Sequence, residues 1–299
     1  MLELDGLTRR FGDLVALDDL TFTVLPGRMF GFVGPNGAGK TTAMRIVLGV
    51  LDSDAGAVRW NGAPVDATVR ARFGYMPEER GLYPKMRVRD QLVYFARLHG
   101  LAPDAAAGAA DRWIDQLGLS ERANDRVETL SLGNQQRVQL GVALVHDPEV
   151  LVLDEPFSGL DPVGVDVMSG VLGERAASGV PVVFSSHQLD LVERICQDVA
   201  IINRGRLVAS GAVEELRERG RDGAEQVRVR VEGDGDGGWL ARVPGAEVTD
   251  RDPRGLLVRL SPGASPEAVL DAARAAGTVT HFSLERPSLT DLFRAAVAA

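Results

Sequence analysis

Phe30 to Thr42, FGFVGPNGAGKTT, runs from an apolar stretch through a glycine-rich turn into a helical start. Gly34, Gly39, Lys40 and Thr41 fill the G-x-x-x-x-G-K-[ST] pattern of a phosphate-binding loop. Glycines let a chain wrap closely around an anion with its backbone N–H groups turned inward. A helix opening near Lys40 adds the positive end of its dipole and its unpaired amide donors. Gly34, Pro35, Asn36, Gly37, Ala38, Gly39, Lys40, Thr41 and Thr42 are therefore expected to cradle the phosphates of a nucleotide. Lys40 would reach the β- and γ-phosphates, and the Thr41 hydroxyl would ligate Mg²⁺.

A second stretch supplies what the loop lacks. Leu151-Val152-Leu153 is an apolar strand that ends in two carboxylates, Asp154 and Glu155. Such a strand delivers side chains to the C-terminal edge of a sheet, where open α/β folds bind ligands. Asp154 is expected to hold Mg²⁺ through water, and Glu155 to orient or deprotonate the water that attacks the γ-phosphate. The alternative is an acidic pair that merely caps a helix after a core strand. The phosphate-binding loop earlier in the chain favours chemistry.

These residues need a frame. Strands are expected over 2–7, 17–25, 29–33, 57–60, 72–76, 150–153, 180–185, 199–202 and 206–210, with a turn at 10–13. Helices are expected over 41–51, 88–99, 105–117, 134–145, 162–177 and 188–195. The alternation predicts an α/β domain with a largely parallel sheet, and the helical block at about 80–148 reads as an insertion to one side of it. The domain is placed at 1–215, followed by a charged linker at 216–223. Residues 224–299 read as a small α+β domain: strands at 226–232, 256–260 and 278–284, a turn at 233–238, a helix over 265–276, and a last helix opened by Ser288 and Asp291 in a capping-box-like pair.

At 299 residues, with 45% hydrophobic and 25% charged residues, the chain can bury a sizeable core. A formal net charge of −9 gives it no global attraction for nucleic acid. Its single cysteine, Cys196, excludes an internal disulfide and reads as core packing. The N-terminus carries no apolar signal core, and no run of about 18 apolar residues occurs. Any work at a membrane is therefore expected to go through a partner.

Leu130 to Arg137, LSLGNQQR, together with the two stretches above, resembles the ATP-binding subunit of ABC transporters over about residues 2–215. The family signature is close to L-S-G-G-Q-Q-Q-R, from which this chain departs at Leu132 and Asn134. The resemblance implies a P-loop ATPase fold in which the parallel core sheet is joined by an antiparallel β subdomain and a helical subdomain. It implies that Ser131 and Gly133 meet the γ-phosphate held by a second subunit, so that two ATP molecules are sandwiched in a homodimer or heterodimer. It further implies that Asp161, in Ser158-Gly159-Leu160-Asp161, links the two sites, that His187 hydrogen-bonds the γ-phosphate, and that Phe11 stacks on adenine. Glu78 stands where the family usually has Gln and is expected to contact the metal or the attacking water. The tail resembles the C-terminal extension of drug- and ion-export ATPases. The expected partner is a separate integral-membrane permease, and the expected location is the cytoplasmic face of the cell membrane. A soluble ATPase of the same family acting on ribosomes or DNA is the alternative. The single cassette, the lack of a sustained heptad run and the acidic charge argue against it.

Overall fold

The fold was analysed in a computed structural model that describes residues 1–219, 225–233, 237–261, 263–285, 288–291 and 293. The chain forms two units, Met1–Val213 and Glu214–Ala299.

Three layers of sequence pattern build the first unit. A hairpin comes first: β1 (Leu2–Phe11) pairs antiparallel with β2 (Leu14–Val24). Both strands run closer to the turn than their alternation suggests. Register shifts after Leu4, Leu7 and Arg9 interrupt the two-residue period on which a sequence reading depends. Phe11 is consequently the last residue of β1 rather than part of a turn. β3 (Met29–Val33) follows, buried throughout, and leads through the glycine loop to α1 (Lys40–Val47). β4 (Ala55–Trp60) and β5 (Ala63–Pro64) complete a four-stranded antiparallel sheet ordered β2-β1-β4-β5. Their turn uses Asn61 and Gly62 at φ 51° and 81°, as a two-residue hairpin with right-handed twist demands.

α2 (Ala67–Arg70), a single turn capped by Asp66 that the sequence reading missed, precedes β6 (Phe73–Met76). The helical block then holds α3 (Val88–Leu98), α4 (Pro103–Gln116) and α5 (Leu132–Leu144). α5 starts two residues earlier than expected because Ser131 Oγ accepts the Asn134 amide and so caps the turn at Leu132.

The remaining elements return to the central sheet. They are β7 (Val150–Leu153), α6 (Pro162–Ala177), β8 (Val182–Ser186), α7 (Leu189–Ile195), β9 (Asp198–Asn203) and β10 (Arg206–Ala212). The sheet order is β10-β9-β3-β8-β7-β6, parallel except for the β9–β10 pair. β3, β7 and β8 are buried along their whole length, which fits the unbroken apolar run of β7 and the apolar starts of β3 and β8. Chain order does not follow space here. β8 lies between β3 and β7, so the ends of all three strands open on one edge.

α8 (Val213–Arg219) covers residues 216–219 of the expected linker, and residues 220–223 lie outside the described residues. The second unit holds β11 (Glu225–Val231), β12 (Ala246–Asp252), β13 (Gly255–Leu260), α9 (Pro266–Ala276) and β14 (Val279–Glu285). Its sheet is antiparallel, ordered β12-β13-β11-β14. β12 was not expected from AEVTDRD, because none of its residues is fully buried. A separate core of Val227, Val229, Val258, Leu260, Val269 and Ala273 lies in this unit. Residues 289–291 and 293 are helical, and Ser288 and Asp291 exchange the reciprocal bonds of a capping box, Asp291 N to Ser288 Oγ at 3.2 Å and Ser288 N to Asp291 Oδ2 at 3.0 Å. Part of the expected turn, 234–236, and Leu292 lie outside the described residues.

Candidate active site

Four parallel strands deliver the site. β3 ends at the glycine loop, β6 at Pro77-Glu78, β7 at Asp154-Glu155 and β8 at His187. In register, Met76 pairs with Leu153, and the Asp154 amide donates to Met76 O at 2.7 Å, so Glu78 and the two carboxylates leave the sheet side by side.

A cleft of about 460 Å³ lies along this edge. Of the expected site residues, Phe11, Asn36, Gly37, Ala38, Gly39, Lys40, Thr41, Thr42, Glu78, Asp154 and Glu155 line it. Leu14, Val15 and Ala16 line it as well. Sequence reading missed these three, and their only signal is that they follow Phe11. Gly34 and Pro35 sit beneath, and Lys40 Nζ donates to their carbonyls at 2.7 and 3.3 Å. The structure does not bring Ser131, Gly133 or Asp161 into the cleft.

The loop conformation explains its glycines. Gly39 has φ 107°, and a Cβ there would meet Ala16 O at 2.5 Å. Gly34 packs so closely on Ile202 that a side chain would strike its carbonyl. α1 then begins with no side-chain cap at Gly39, leaving its first amides to a ligand.

The carboxylates are held by neighbours the sequence did not single out. Asp154 is 1% exposed; its Oδ1 accepts from Ser185 Oγ at 2.5 Å, and its Oδ2 is buried without a partner. A buried polar oxygen left without a partner is costly, so Oδ2 fits a cation as its partner. Ser185 Oγ also accepts the Glu155 amide at 2.8 Å. Glu155 has φ 49°, a region disfavoured for residues with side chains. Ser185 fixes its N–H, and Gln136 Nε2 donates to the carbonyls of Glu155 and Pro156 at 3.3 and 3.0 Å. Together these bonds offset the strain and aim the side chain. Gln139 Nε2 ties α5 to Pro77 O at 2.6 Å, next to Glu78.

His187 Nδ1 lies 3.0 Å from Glu155 Oε2. Burial pushes the Glu155 carboxyl above the ordinary glutamate range, while His187 and Lys40 oppose that rise. A carboxylate raised in this way is a stronger base toward water. Burial lowers the Lys40 ammonium, against the pull of Glu155, Asp154 and Glu78. The geometry therefore offers backbone and lysine donors that suit phosphate, a buried carboxylate oxygen without a partner and a carboxyl of raised pKa within one cleft.

Ser131 and Asp161 behave differently. Each caps its own helix: Ser131 Oγ accepts from Asn134 N at 3.3 Å, and Asp161 Oδ1 accepts from Gly164 N at 2.7 Å. Beside them Leu132 is 57% exposed and Val163 66% exposed.

Residues 17–158 match the family model described as ABC transporter, and residues 211–297 match that of the DrrA1-3-like ATP-binding protein C-terminal domain. Phe11, Asp161 and His187 fall outside the first match. The chain is 38% identical over 299 residues to the ABC transporter ATP-binding protein YhaQ of Bacillus subtilis (strain 168), covering 100% of this chain and 99% of that protein. It is 29% identical over 302 residues to the linearmycin resistance ATP-binding protein LnrL of the same organism, covering 98% and 97%. Among solved structures it is similar to an ATP binding subunit of an ABC transporter, with a TM-score of 0.68 and 29% identity over 73% of this chain and 92% of that one.

Proposed function

The chain belongs to the ATP-binding subunits of ABC transporters and is an ATPase that works with a membrane permease, and on that premise we propose that it drives export from the cytoplasmic face of the membrane. The single observation that carries the catalytic part is Glu155, buried at the cleft, raised toward basicity and held by His187. The export reading is supported by the full-length likeness to a resistance ATP-binding protein and by the matched C-terminal domain. Among the described residues no helix is long and apolar enough to cross a membrane, in keeping with a separate permease.

ATP would lie with its phosphates on residues 34–42 and its base against Phe11. Glu155 would take a proton from the attacking water, and His187 would hold Glu155 in place and reach the γ-phosphate. Asp154 and Thr41 fit Mg²⁺, with Glu78 nearby. Among the described residues no group of three or more His, Cys, Asp or Glu could form an all-protein cage, and Mg²⁺ is bound through one or two carboxylates plus substrate phosphates. When bound, Mg²⁺ would neutralise charge developing on the phosphates. Ser131, Gly133 and Asp161 would act across a dimer, on ATP held by the second subunit. The self-capped state of Ser131 and Asp161 and the exposed Leu132 and Val163 beside them support this reading.

Affinity purification of the tagged chain from membranes tests the assignment. A polytopic membrane protein should come with it and raise its ATPase rate in lipid vesicles. Purification with ribosomes or DNA instead would overturn it.

A further inference from the structure

Phe11 is an unusual anchor for a nucleobase. It is the last residue of β1, 46% exposed, with a free single bond to turn about. A ring in that position loses rotational freedom when a base stacks on it, and that loss weakens binding. Something that fixes the ring beforehand would strengthen it.

Arg9 is placed to do so. Its guanidinium carbon lies 4.9 Å from the centre of the Phe11 ring, within cation–π range. Phe11 lines the ATP cleft, and Arg9 is not among the residues that line it. The guanidinium is itself anchored: Arg9 Nη1 donates to Asp54 Oδ1 at 2.9 Å. The same carboxylate, through Oδ2, accepts the Arg10 amide at 2.7 Å, and the Asp54 amide donates to Thr8 O at 2.8 Å. Asp54 thus clips the arginine to the backbone of the strand that carries Phe11. Arg9 Nε is buried and without a partner, so the plate sits partly dry against the strand rather than waving in solvent.

We propose that Arg9, clipped by Asp54, is a positioning residue for Phe11 and sets how tightly the base end of ATP is held. The proposal rests on the base stacking on Phe11. Its bland competitor is a surface ion pair that only pins β1 to the start of β4, which would affect folding and not ligand choice.

Equilibrium binding of ATP and of tripolyphosphate to the full chain, with steady-state ATPase kinetics, separates the two. Arg9→Ala should weaken ATP binding about two- to five-fold, the size of an exposed cation–π contact. The loss should fall on KM and not on kcat, and tripolyphosphate, which has no base, should bind as before. Arg9→Lys should recover part of the loss, and Asp54→Asn should reproduce part of it. In a Phe11→Ala background, Arg9→Ala should add nothing. Equal weakening of ATP and tripolyphosphate, or an undiminished Arg9 effect without Phe11, overturns the proposal. If Phe11→Ala weakens ATP binding and Arg9→Ala does not, Arg9 has no positioning role while the stacking survives. If Phe11→Ala leaves ATP binding unchanged, the stacking itself is wrong and the proposal falls with it.

Discussion

Three helix starts in the first unit carry residues assigned to ATP, and they are built in opposite ways. α1 opens on Gly39, which has no side chain to offer, so its first amides face the cleft unclaimed. α5 and α6 open on Ser131 and Asp161, whose own side chains already satisfy an amide. A helix end left bare beside a cleft is prepared for an anion in the lone chain. A helix end that caps itself already has one of its amides satisfied without a ligand. Under the proposed function, the contrast would divide the site into a half that binds ATP in one subunit and a half that acts when two subunits meet.

The largest effect that tests this division is on turnover. Glu155→Gln keeps the shape of the cleft but removes the base, so kcat should fall by about 10²- to 10⁴-fold with ATP binding retained. Size-exclusion chromatography of that variant with ATP should show a two-subunit species. Hydrolysis near the normal rate would remove Glu155 from its role. Next in size is a pair of variants. Gly39→Ala puts a methyl group against Ala16 O at φ 107°, a strain on the order of 1–3 kcal/mol, and should weaken ATP binding by dilute, monomeric protein by about 5- to 150-fold. Ser131→Ala should cost about 1 kcal/mol of stability and lower turnover, yet leave that monomer affinity intact. If both variants weaken monomer binding alike, there is no division. The smallest effect is a shift in pH dependence. Glu155 works ionised, so activity is lost as pH falls through its pKa. The His187 hydrogen bond lowers that pKa against the rise due to burial. His187→Ala removes the lowering influence, so the acid limb of kcat/KM should move to higher pH.

Much of the cleft was legible because its chemistry is local. A glycine loop, the helix after it and two carboxylates at the end of an apolar strand are read from adjacent residues. Ser185 and Gln136 were not singled out for their roles. Ser185 sits in a core strand, and its oxygen matters only because β8 lies beside β7. Gln136 lies in the signature stretch, but nothing along the chain says that its amide holds the backbone of Glu155 in a left-handed turn. Asp54 was invisible for the same reason, being 45 residues from the arginine it clips. In the second unit β12 was missed because an edge strand with no fully buried residue has no apolar period to detect.

By itself the sequence determined where the glycine loop and its lysine sit between a strand and a helix and which strand ends carry acid, since strand periodicity and turn chemistry act over a few residues. Only the tertiary structure decided how those groups meet. The order β3-β8-β7-β6, which chain order does not imply, puts the Lys40 loop, His187, Asp154 and Glu78 on one edge. The hydrogen bonds of Ser185, His187 and Gln136 then fix the two carboxylates where the low dielectric of the buried edge raises Glu155 and leaves Asp154 Oδ2 bare. Burial and partnership of a charge are properties of neighbours distant in the chain.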